Sequence, residues 1–199
     1  MITKYFIVAV KFIFLLLILL LFSCKVNTDN LPNYNLTTKI KDRLIKTVDS
    51  LYVIDQGTRK SLYIPDSIYG MSSGFFINMH RIQYLKDNLG DNYEPYKTML
   101  DSITNDLNNK DYSNTKKLIS ITIEFGFPSN ERLDQKKAKA YMIFVHSPKE
   151  YYEEIKELIS NEFNAGRITE YKKEYIFWHL HGRKNAPPVS GRNGEVIWQ

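Results

Sequence analysis

Asp55 and Arg59 stand four residues apart, and Leu44, Val48, Leu51 and Tyr52 lead into them at three- and four-residue intervals. On a helix that spacing lets carboxylate and guanidinium meet, and it aims the pair where the apolar residues point. A charge in such a place persists only when it is paired and hydrogen-bonded, so partners from distant segments are required. Histidine is the first partner to consider, because only four occur and His146 and His179 each end or nearly end an apolar helical run. The expectation is one cluster of Asp55, Arg59, His146 and His179, with His179 as general acid or base. Gln56 and Arg183 are the accompanying binding groups for a polar or anionic substrate. The plainer reading leaves Asp55 and Arg59 as a helix-surface ion pair and His146 as an imidazole facing a helix C-terminus.

Metal chemistry is not expected. His179 and His181 would lie about 200° apart on a helix, and no ligand pair has the four-residue spacing of a strong zinc motif. The chain also lacks G-x-S-x-G, P-loop, H-E-x-x-H and dinucleotide fingerprints, and no cofactor is implied.

The elements that must position these groups follow a different kind of segment. Residues 12–22 read FIFLLLILLLF behind Lys4 and Lys11 and before Ser23 and Cys24. This is the layout of a signal peptide. The uncharged run of 11 residues is short of the roughly 20 that a spanning helix needs, although a retained N-terminal anchor is the alternative. Leu21-Phe22-Ser23-Cys24 resembles a lipobox, in which the Cys becomes the acylated, palmitate-bearing first residue of the mature chain. Cys24 is also the only cysteine, so no internal disulfide and no catalytic thiol remain.

The expected organisation is therefore a leader over 1–23, a lipidated Cys24 with a flexible polar tether over 24–37, and one globular domain over 38–199. That places the chain in the cell envelope, anchored outside the cytoplasm. Loss of Lys4 and Lys11 would take the net charge from +5 to +3, too small an excess to argue for nucleic acid.

Helical periodicity begins at Thr38, resumes at about 73–89 before Gly90, and recurs through Tyr96, Met99, Ile103 and Leu107. Ser113 is placed to cap a separate helix ending at Gly126, followed by Pro128. A further helix through Tyr141 and Val145 must stop before Pro148. Ser147-Pro148-Lys149-Glu150 has the residue types of a capping box, and Thr169 can cap a last helix ending near Gly182. The fold class expected is mostly α, a single domain of five to seven helices with room for a short C-terminal strand or hairpin.

Five short segments carry a resemblance. Residues 54–59 (IDQGTR), 123–129 (IEFGFPS), 140–148 (AYMIFVHSP), 166–168 (GRI) and 175–183 together resemble an uncharacterised bacterial family known as a domain of unknown function. Its members are exported by Bacteroidetes-type bacteria and share a D-Q-x-x-R element and a G-[WF]-P turn. The family pattern ends in Tyr-Gly-Thr-Gln, where this chain has Val196-Ile197-Trp198-Gln199. No activity is implied by the resemblance.

Two function classes follow. The first is a membrane-anchored envelope lipoprotein that binds a protein, glycan or small molecule. The second is a hydrolase or other small-molecule enzyme built on Asp55, Arg59, His146 and His179.

Overall fold

The structure is a computed structural model that describes residues 34–70, 79–134 and 139–197. The segment expected to be a leader, residues 1–23, and Cys24 lie outside the described residues. Helix accounts for 71% of what is described, which bears out the mostly α-helical expectation. Five helices have eleven or more residues: α1 (Thr38–Ser61), α3 (Met79–Leu89), α4 (Tyr93–Phe125), α6 (Tyr152–Asn164) and α7 (Glu170–Leu180). Two are short, α2 (Ile64–Ile68) and α5 (Ala140–Val145). Strands β1 (Val189–Ser190) and β2 (Val196–Ile197) pair antiparallel as a C-terminal hairpin. Among the described residues no helix is long and apolar enough to cross a membrane.

The longest element is α4, 33 residues and so about 50 Å. The expected break at Ser113 does not occur, because the helix runs straight through the polar stretch around it. Tertiary burial outweighs the weak helix propensity there: Asn114, Thr115 and Leu118 are buried, and the Asn114 amide donates to the Leu51 carbonyl of α1 at 3.3 Å. Gly126 then stops the helix at φ 75° and ψ 165°, a backbone region essentially reserved for glycine.

The core lies where α1, α4, α5, α6 and α7 meet, around Leu44, Leu118, Phe144, Ile155, Ile159 and Ile176. Phe127, from the turn after α4, stacks on Phe144 with centroids 5.8 Å apart. A smaller cluster of Leu85, Leu89 and Tyr96 sits near the start of α4, where the Tyr96 hydroxyl donates to buried Asp66 at 2.7 Å.

Two caps differ in outcome. The Thr169 hydroxyl accepts from the Lys172 amide, as expected for the start of α7. Ser147 does not cap the helix after Pro148. Its hydroxyl turns back and donates to the Phe144 carbonyl at 2.7 Å, closing the end of α5, while a 3₁₀ turn (Lys149–Tyr151) leads into α6 without a side-chain cap. The residue types of a capping box were present, but the carbonyls left open at the end of α5 took the hydroxyl instead.

Tyr34, assigned to the tether by composition, is bound. Its hydroxyl donates to the Ile123 carbonyl at 2.9 Å, its carbonyl accepts from Arg132 at 2.7 Å, and Arg167 lies over its ring. The domain therefore includes residues before Thr38.

Candidate functional site

The apolar stripe of α1 runs Leu44, Val48, Leu51 and continues into Asp55, which is 1% exposed. An ionised carboxylate at such depth needs compensation on every lone pair, and three side chains supply it. The Gln56 amide donates to Oδ2 at 2.7 Å, His146 Nδ1 lies 2.8 Å from Oδ1, and Arg59 Nε lies 3.3 Å from the same oxygen. Arg59 then reaches across to α4, where Nη2 meets both oxygens of Asp111 at 2.8 Å. His146 arrives from α5 as its C-cap, its amide bonded to the Met142 and Ile143 carbonyls. One turn away along α1 and α4, the Asn114–Leu51 bond fixes the register that brings Arg59 to Asp111.

His146 Nδ1 faces two groups with opposite demands, since Arg59 Nε also lies within 3.0 Å of it. The shorter contact, to the buried carboxylate, sets the assignment. A bare Nδ1 would set two lone pairs against each other at 2.8 Å, so Nδ1 carries the proton and donates it to Asp55. Arg59 Nε–H is then served by Asp55 Oδ1. Nε2 is then the bare nitrogen of the neutral ring, without a protein hydrogen bond among the described residues.

The two carboxylates are driven apart. Burial alone would push Asp55 up, but the hydrogen bond and charge of His146, with Arg59 and Gln56, outweigh it and hold the group below its ordinary value. At Asp111 burial prevails over the pull of Arg59, assisted by repulsion from Asp55, and the group is raised. Asp55 is the constant anion of the site and Asp111 the carboxylate that protonates more readily. Separated titrations of this kind mark acid–base assignments in enzymes.

Beside this cluster opens a cleft of about 420 Å³ lined by Asp111 and His146 together with Asn108, Asn109, Tyr112 and Tyr152 among others. The volume falls in the range of about 300–1,000 Å³ common for small-ligand sites.

The structure thus brings together Asp55, Arg59 and His146, with Gln56 steadying Asp55. His179, in the last turn of α7, pairs with Arg183, whose Nε donates to His179 Nδ1 at 3.0 Å. Burial, then the charges of Arg183 and His146, lowers His179 to about 4, so it is neutral at physiological pH. His179 packs on Tyr175 and His181 on Phe177, so their side chains diverge. No group of three or more metal-ligating side chains occurs among the described residues. Asp111 was not foreseen. The signal for it is Leu107, Asp111, Thr115 and Leu118, which carry one face of α4 through a stretch that reads as a loop.

No protein-family model, curated protein or solved structure matches this chain.

The remaining motif segments meet elsewhere. Glu162, 4% exposed, accepts the Phe127 amide at 2.6 Å and two bonds from Arg167 at 2.8 and 2.6 Å. Arg132 donates to the carbonyls of Phe125 and Phe127. The Gly-Phe-Pro turn and Gly166-Arg167 therefore form a structural knot around the end of α4. The D-Q-x-x-R and V-H-S-P segments meet where Asp55 and Arg59 contact His146, which lines the cleft.

Proposed function

We propose that this chain is an envelope lipoprotein, held by a lipid on Cys24, whose helical domain is an acid–base enzyme of hydrolase type acting on a small polar substrate. The observation that carries the reading is the 2.8 Å contact between Asp55 Oδ1 and His146 Nδ1 at the edge of an open cleft. A carboxylate in that position fixes the imidazole tautomer and stabilises the imidazolium formed when Nε2 takes a proton. Asp55, held low by its partners, stays ionised throughout.

The nucleophile is water or a hydroxyl of the substrate. Ser147, adjacent to the base, is buried and committed to the Phe144 carbonyl, and Cys24, the chain's only cysteine, carries the lipid in this reading. In the step, Nε2 removes the proton as the oxygen attacks, and the imidazolium returns it to the leaving group. Arg59, with both Asp55 and Asp111, keeps the dyad in place and is itself neutralised.

The test uses the full chain in detergent micelles, assayed on chromogenic carboxylic ester, amide, glycoside and phosphoester substrates beside His146→Gln. Turnover of one class, reduced about 100-fold or more in the variant, is expected. Equal rates for both proteins on all four classes would overturn the reading and leave a binding module.

A further inference from the structure

We infer that the cleft receives a neutral, hydroxyl-rich ligand of the glycan class. The inference rests on the cleft being the site proposed above. Its walls carry hydrogen-bonding capacity of both signs: Asn108 and Asn109 each offer an amide N–H₂ and a carbonyl oxygen, and neither is engaged by the protein among the described residues. His146 Nε2 adds an acceptor at the inner end. A ligand that pairs with all of these must donate and accept at closely spaced points, as adjacent hydroxyls do.

The charges weigh against an anionic ligand. Asp111 is the carboxylate nearest the dyad, and both of its oxygens are taken by Arg59. Arg59 is correspondingly spent and unavailable to a phosphate or carboxylate ligand. At the rim Lys149 and Glu150 are neighbours of opposite sign. Asp55, Arg59 and Asp111 together sum to −1 and the rim pair to zero, so no net positive field draws an anionic ligand.

Aromatic surface supplies the third requirement. Tyr112 is 44% exposed and lies against Tyr151 with centroids 5.4 Å apart, and Tyr152 lines the cleft. Phenol rings combine an apolar face with a polar tip, matching a sugar ring whose C–H face is apolar and whose edge is hydroxylated.

The experiment is binding of the full chain, in a detergent without a sugar headgroup, to a printed array of neutral and acidic bacterial envelope oligosaccharides. Retention of at least one neutral oligosaccharide is expected. It should fall at least tenfold in the surface variants Asn108→Ala/Asn109→Ala and Tyr152→Ala. No neutral oligosaccharide retained, or retention that both surface variants leave unchanged, overturns the inference. Array failure alongside His146-dependent turnover of an ester, amide or phosphoester discards the glycan and keeps the base. Array binding without turnover discards the base and keeps the glycan.

Discussion

Asp55 Oδ1 and His146 Nδ1 lie 2.8 Å apart although 91 positions separate them in the chain. The contact joins the last buried turn of α1 to the end of α5, and Arg59 extends it to Asp111 on α4. Three helices therefore share one electrostatic centre beside the cleft.

The first expectation concerns pH. Asp55 is depressed in the fold relative to 3.8, so its stabilisation is present above that value and is lost as pH falls through the folded-state pKa. Asp55→Asn should cost about 3 kcal/mol at pH 7, as expected for breaking a buried pair, with the difference closing in strong acid. Asp111 is raised, so its ionisation opposes folding, and Asp111→Asn should cost less than Asp55→Asn at pH 7. Urea melts from pH 2.5 to 8 measure both; equal costs at pH 7 would contradict the assignment.

His179 gives a separate window. Its folded-state value of about 4 lies below the ordinary 6.5, so the unfolded chain binds the extra proton and stability falls as pH drops from 6.5 to 4. The loss is on the order of 3 kcal/mol. His179→Phe should flatten that part of the stability profile, and an unchanged slope would show that His179 does not titrate as a buried neutral ring.

At Gly126 a Cβ would sit 2.7 Å from Arg132 Nη1, 3.0 Å from Arg167 Nε and 3.1 Å from Glu162 Oε2. Gly126→Ala combines this crowding with a backbone conformation that itself costs about 1–3 kcal/mol outside glycine. Thermal melts should show a clear loss of stability with the Asp55–His146 dyad unaffected. A neutral substitution would mean that the knot around the Gly-Phe-Pro turn is looser than these contacts imply.

Ser147→Ala should cost no more than about 1 kcal/mol. The Phe144 carbonyl keeps the Ser147 backbone amide as a donor at 3.3 Å, and α6 has no side-chain cap to lose. Unfolding of α6 in the variant, read by hydrogen exchange, would restore the capping role.

Much of this was legible in residue spacing. The stripe from Leu44 to Asp55 located a buried charge, the four-residue step to Arg59 supplied its first partner, and the scarcity of histidine pointed to His146. Asp111 was hidden because Asn108, Asn109, Ser113 and Asn114 resemble a loop, and only packing against α1 keeps them helical. His179 is held by Arg183, which Gly182 at φ 82° turns back onto Nδ1, a contact that its place near the end of α7 did not reveal. Ser147 shows the same limit at a cap, since residue types cannot say which of two helix ends a hydroxyl will close.

The tautomer of His146 is the most direct measurement. Long-range ¹H–¹⁵N correlation spectra of the ¹⁵N-labelled chain in micelles, at about pH 9 and so above the ordinary imidazole range, distinguish a protonated from a bare ring nitrogen. The expected result is a proton on Nδ1 and a bare Nε2, with the preference lost in Asp55→Asn. A proton on Nε2, with Nδ1 bare and accepting from Arg59 Nε across 3.0 Å, would contradict the dyad and remove the base from the cleft.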